Sequence, residues 1–430
     1  RGVTVATALP ASDASEAGPR RTTLDNGLTV LSETIPGVRS VAFGAFVLAG
    51  SLHEAPERMG VSHLLEHMVF KGTPTRTARQ LSLEVETLGG SLDAYTTREY
   101  TSYQARVLAE HLDVAADVVG DLVFRPLLRA SDLALERNVV LEEIAMVEDT
   151  PDDVVFEHHN ALLWGDHPHG WSILGTRETV GALEVDALRA AHARAYHPGR
   201  LVVAAAGRVE HEALLEALER TGWGAVPGGD ATPLPSPPAA ARPPAYRHYA
   251  DRKLTQTHVV LGAAGVPHHD PRRHALVLVS MMLGGGMSSR LFQRVREELG
   301  LAYAVHTFQS FHVDAGVQGV YVATAPKTAR QAVAAIQEEL ARLVAEGLPE
   351  GELVAAKRQL KGQITLSMES VTNHMYRAAG QVLYDEPHRP LDEVLALVDA
   401  VTDEEVRAVC REFFDPARQT MVSLGPKAVA

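Results

Sequence analysis

The stretch PGGDATPLPSPPAAARPP, Pro227–Pro244, decides how the chain divides. Seven of its residues are proline. Proline fixes φ and lacks a backbone donor, so this segment suits neither a helix nor a central strand. It reads as an extended linker with roughly 200 residues on either side, a usual domain size.

Working outward, the two flanks read alike. On the N-terminal side, Leu28–Glu33 and Val41–Leu48 are strand-like, with Asn26-Gly27 as a turn before them. A helix follows over Val61–Phe70, then a longer helical stretch over Ser131–Val147 and a strand-like run over Leu201–Ala206. On the C-terminal side, His258–Gly262 is strand-like, Arg273–Leu283 and Leu348–Met368 are helical, and Thr420–Leu424 closes as a strand. The repeated order suggests an internal duplication, though the residue identities alone are too weak to prove it. Mixed strands and helices in each half give an α+β class, one sheet covered by helices per half. Residues 1–21, rich in Ala, Ser and Pro, read as a loose tail. The expected organisation is therefore a tail 1–21, a first domain 22–226, a linker 227–244 and a second domain 245–430. The linker is expected to let the halves open and close.

Composition narrows the function. Forty Lys and Arg against 54 Asp and Glu give the 430-residue chain a net charge of −14. That balance argues against nucleic-acid binding, which needs a cationic face. The single cysteine, Cys410, excludes an intrachain disulfide, a cysteine-based zinc cluster and an iron–sulfur cage; it reads as an inert packed thiol. No run approaches ~18 apolar residues, so no membrane-spanning helix is expected. A cytoplasmic location is the expectation, with the chain starting at Arg1 rather than Met.

The most informative stretch is Gly60–Phe70, GVSHLLEHMVF. On a helix, His63 and His67 stand one above the other at i and i+4, with Glu66 between them and Leu64, Leu65 and Met68 turned to a core. Two imidazoles on one face are a ready chelate for a divalent ion, and a carboxylate beside them can serve as base for a metal-activated water. The competing reading is two surface histidines and a solvated glutamate. A third ligand is needed. In SDLALERNVVLEEIAMVED, Ser131–Asp149, Leu133, Val140, Ile144 and Val147 mark a buried face. Glu136 and Glu143, two turns apart, share another face, and Glu142 looks away. Glu143 is the preferred ligand and Glu136 a neighbour that orients groups or tunes them; both could equally be solvated, as glutamates usually are.

The runs HLLEHMVFKGT, His63–Thr73, and ERNVVLEEI, Glu136–Ile144, resemble the pitrilysin/insulinase family of inverted-motif zinc peptidases, in particular its mitochondrial processing peptidase-like branch. The resemblance covers nearly the whole chain from Leu24 onward. It implies two similar domains, each a mostly antiparallel sheet covered by helices, that form half of a clam-shell chamber. It implies one Zn2+ per chain, held by His63, His67 and Glu143, with Glu66 as general base and Glu136 as a supporting acid. The implied reaction is hydrolysis of peptide bonds in short or unfolded polypeptides.

Two further segments match that family. GGSLDAYTTREYTSY, Gly89–Tyr103, is a glycine turn leading into a β-rich run that could pair with an extended peptide through its backbone. The resemblance gives Asp93, Ala94 and Tyr95 to substrate binding, with Asp93 standing where the family usually has Asn. GGGMSSRLFQRVREELGLAYAV, Gly284–Val305, places Arg296 and Tyr303 across a helix–strand junction. No Gly-Lys-Ser/Thr follows the glycines, so this is not a phosphate loop. Taken alone, Arg296 reads as a surface ion pair and Tyr303 as packing. The resemblance gives the pair to gripping substrate and stabilising the oxyanion, for which a guanidinium and a phenol are suitable donors.

A complete chamber in that family needs four such domains, so a homodimer is expected, with Arg296 and Tyr303 of one subunit serving the metal site of the other. The alternatives are a non-catalytic structural subunit and one half of a heteromeric processing peptidase. The remaining paired histidines, His158, His159, His167, His169, His268 and His269, read as surface or loop residues.

Overall fold

A computed structural model describes residues 18–430; most of the expected tail lies outside them. The first sheet contains β1 (Arg20–Thr23), β2 (Thr29–Thr34), β3 (Ser40–Val47), β4 (Ser91–Thr96), β5 (Thr101–Leu108) and β6 (Leu201–Gly207). Their spatial order is β1-β2-β6-β3-β5-β4. The second contains β7 (Tyr246–Ala250), β8 (Thr257–Gly265), β9 (Ala302–Phe311), β10 (Gly316–Thr324) and β11 (Thr420–Gly425), ordered β7-β11-β8-β10-β9. With β1 set aside, the two orders are identical strand for strand. Each sheet has one parallel pair, β2–β6 and β7–β11, and is otherwise antiparallel. The duplication that the residues barely suggest is explicit in the topology. One boundary differs: β1 already begins at Arg20, inside the expected tail. Its RRTT sequence has no apolar alternation, and it is held by backbone pairing to β2 and by an ion pair from Arg20 to Glu212 at 2.6 Å.

The central strands β3 and β6 are buried along almost their whole length, which is why they read as apolar runs rather than as alternating ones. Val41, Phe43, Ala45 and Val47 face a core built with helices Val61–Val69, Leu112–Phe124 and His211–Arg220, closed by Trp223. Ala42 and Phe46 face the other way. There they meet Val371, Met375, Ala378 and Ala379 of helix Val371–Leu383, which belongs by sequence to the other half. The exchange is reciprocal. Helix Pro151–Trp164, from the N-terminal half, sets Val155 against Val260, Tyr321 and Val422 of the second sheet.

Each crossing helix seats a side chain over a strand glycine. A Cβ on Gly44 of β3 would come within 2.9 Å of the Met375 sulfur, and a Cβ on Gly262 of β8 within 2.8 Å of the His159 ring. His159 is therefore fully buried within a helix, against the expectation of a surface or loop position, and His169, in the short turn Pro168–Gly170, is 1% exposed. Spacing along helix Pro151–Trp164 could not show that the second sheet covers His159. Burial pushes the His159 pKa down to about 4.

The Pro-rich segment has no regular secondary structure, as its composition requires. It is nevertheless tied down. The Arg200 guanidinium donates to the Thr232 carbonyl at 2.8 Å, and the Arg242 amide donates to the Leu163 carbonyl at 2.8 Å. Two exchanged helices plus a tethered linker interlock the halves, so hinging at the linker would have to expose buried apolar surface. Cys410 is buried in the second core, and burial pushes its thiol up to about 12. Among the described residues no helix is long and apolar enough to cross a membrane.

Candidate metal centre

Helix Val61–Val69 starts at Gly60, whose φ of +88° disfavours an L side chain. A Cβ there would also strike the Leu174 carbonyl at 2.4 Å. The Glu54 carboxylate accepts the amides of Gly60 at 2.9 Å and Ser62 at 2.8 Å, placing negative charge on otherwise unpaired donors at the positive end of the helix. Burial pushes Glu54 up to about 7, against the pull of those two bonds. Leu64, Leu65 and Met68 are buried in the core and fix the rotation of the helix. His63, Glu66 and His67 are left on its partly exposed face.

The second wall is helix Ala130–Glu148, anchored by Leu133, Val140 and Ile144. It brings Glu143 between the two imidazoles: one oxygen lies 3.5 Å from His63 Nε2 and the other 3.5 Å from His67 Nε2. Three donor atoms, one each from His63, His67 and Glu143, lie within 4.8 Å of one another. Glu142 points to solvent. Glu136 is 6% exposed and sits behind the cluster, 3.1 Å from His67 Nδ1, with its other oxygen 2.5 Å from Lys71 Nζ. With Nδ1 engaged by Glu136, His67 turns Nε2 toward the cluster. Burial, with His67 beside it, drives the His63 pKa down to about 4, which keeps its ring neutral and its lone pair available. The donor set therefore fits a divalent ion that accepts imidazole and carboxylate. Glu136→Gln is expected to weaken metal affinity about 10–100-fold with the fold intact, as read by competition against a chromogenic chelator.

Glu66 sits between the histidines but takes no part in their pairing. Its Oε2 accepts a hydrogen bond from the Thr96 hydroxyl. Burial raises the Glu66 pKa, and that bond opposes the rise. Thr96 is a residue that the motif reading passed over. The alternation of β4 would have found it: Leu92 and Ala94 pack on the core that also buries helix Val61–Val69, and Thr96 continues that face.

The structure splits the expected substrate trio. Ala94 faces the core under helix Val61–Val69, whereas Asp93 is exposed and Tyr95 lies on the opposite face. Tyr95 has its hydroxyl 3.3 Å from that of Tyr100 and its ring centroid 6.2 Å from that of Tyr376. β4 forms the outer edge of its sheet, paired on one side only, with β5. Arg296 and Tyr303 meet each other. The guanidinium carbon lies 4.6 Å from the Tyr303 ring centroid and 4.7 Å from that of Phe292, on a π-helix over Phe292–Glu298. Tyr303 is 78% exposed at the edge strand β9. Among the described residues no hydrogen bond, ion pair or ring contact joins either side chain to the histidine cluster, so one chain does not bring the two sets together.

Comparison with known proteins places this geometry. Residues 29–177 match the insulinase family, peptidase family M16, and residues 182–360 match the peptidase M16 inactive domain. An uncharacterized zinc protease of Streptomyces coelicolor is 39% identical over 95% of this chain and 89% of its own length. The chain belongs to peptidase family M16. The uncharacterized zinc protease YmxG of Bacillus subtilis is 38% identical over 92% of this chain and 95% of its own length. Among solved structures, a peptidase M16 inactive domain from Pseudomonas fluorescens superposes with a TM-score of 0.89 at 22% identity, covering 96% of this chain and 98% of its own. A protease from Helicobacter pylori gives 0.88 at 20%, covering 95% and 99%. At those identities the structures carry the M16 fold, two domains with mostly antiparallel sheets and helices; the sequence relatives carry the family.

Proposed function

We propose that this M16 protein is a zinc metalloendopeptidase that hydrolyses peptide bonds in short or unfolded polypeptides. The observation that carries the reading is the convergence of His63, His67 and Glu143 around one point, with Glu66 beside them and held by Thr96. His63, His67 and Glu143 hold the ion. When bound, zinc supplies a Lewis acid that polarises a carbonyl and acidifies water. Glu66 Oε2 is occupied by Thr96, so Oε1 takes the proton from the attacking water and passes it to the leaving amine. The raised pKa of a buried carboxylate suits both transfers. The free edge of β4 holds the peptide as an added strand, a mode that tolerates many sequences because main-chain bonds do not read side chains. In this reading Asp93 and Tyr95 contribute backbone rather than side-chain contacts.

The Arg296–Tyr303 pair supplies donors to the developing oxyanion from a second copy of the chain, in a homodimer that encloses the peptide. The support is that the pair is exposed and pre-stacked, while the chain's own cluster lacks it. A complementation experiment tests this. Glu66→Gln and Tyr303→Phe proteins, each inactive alone, are dissociated, mixed and reassociated. Activity of about a quarter of wild type is expected, because half of random dimers are mixed and each carries one intact composite site. No recovery at all would exclude the shared site. A non-catalytic role is disfavoured, since the full donor set is assembled.

A further inference from the structure

The crossing helix Val371–Leu383 has a second face, turned away from the first sheet. That face lines a cavity of about 380 Å³, bounded also by helices Arg273–Gly284, Glu350–Ser367 and Leu391–Ala400. Ile364, Val394 and Leu397 make part of its wall apolar.

Two donors from one helix face line the same space. Arg377 and Gln381 are four residues apart, one turn along the helix. The Arg377 guanidinium is half-buried, and among the described residues no carboxylate lies within ion-pair distance of it. Its bonds go to the Arg389 carbonyl and, at 3.6 Å, to the Met368 sulfur. Gln381 Nε2 is buried with no hydrogen-bond partner. The neighbouring guanidiniums are already neutralised: Arg273 by Glu386 at 2.9 Å and Arg389 by Glu393 at 3.2 Å. A half-buried cation without a counter-ion and a buried amide donor without an acceptor are each unfavourable. A carboxylate satisfies both, and the apolar wall accommodates a hydrocarbon body.

We propose that this cavity binds a small carboxylic acid with an apolar body, its carboxylate held by Arg377 and Gln381. Calorimetric titration of decanoate into the full-length, zinc-loaded protein tests it, with 1-decanol and inorganic phosphate as controls. Saturable decanoate binding is expected, with both controls at least about ten-fold weaker. Arg377→Met is expected to weaken decanoate about ten-fold or more, and Gln381→Leu several-fold, with far-ultraviolet circular dichroism and zinc content unchanged. Should Arg377→Met fail to fold, Gln381→Leu alone decides. No saturable decanoate binding, equal binding of decanol or phosphate, or undiminished binding in the folded variants would each overturn the proposal.

Discussion

Glu66→Gln is expected to lower kcat/KM for peptide hydrolysis by about 10²–10⁴-fold while zinc content and thermal stability stay at wild-type levels. Glutamine preserves shape, and its carbonyl oxygen can still accept the Thr96 hydroxyl bond. What it cannot do is take a proton. The cluster of His63, His67 and Glu143 is left intact, so metal loss would not be the cause of a fall. Metal analysis and steady-state kinetics on one preparation separate the two effects. A variant that lost zinc as well would mean that Glu66 serves the metal rather than the water.

The second large effect concerns stability. Met375→Ala is expected to destabilise the chain by about 2–5 kcal/mol, read as a lowered midpoint of urea unfolding. Met375 is fully buried, and it fills the space left by Gly44 between the first sheet and a helix from the other half. Truncation leaves a cavity that a β-strand backbone cannot close. The loss is a large part of the ~5–15 kcal/mol that holds a typical domain folded. Because Met375 lies at a crossing point between the halves, its removal loosens their attachment as well as one core.

Much of the architecture was legible along the chain, and particular residues show where legibility stopped. The strands β2, β3, β6 and β11 and the helix bearing His63 stand within a few residues of where periodicity put them, because local pattern fixes local structure. The two-turn spacing of Glu136 and Glu143 put both on one face and Glu142 in solvent, and both do reach the histidines; it did not show that Glu136 is buried together with Leu133, Val140 and Ile144, because the two faces adjoin. The crossing helices were not legible. An apolar stripe such as Val371, Met375, Ala378 says that a helix is covered, not by which sheet. For the same reason His159 read as a surface residue, although it fills the hole over Gly262. The resemblance gives Asp93, Ala94 and Tyr95 one role as a block, yet a strand sends successive side chains to opposite faces. That same alternation brings Thr96 to Glu66.

The central claim is that His63, His67 and Glu143 hold a zinc ion required for peptide hydrolysis. Its most direct test strips the protein with a chelator and titrates zinc back while peptide cleavage is followed. The expected result is loss of activity in the stripped protein and a linear return that ends at one equivalent of zinc per chain. Full cleavage by metal-free protein would contradict the account.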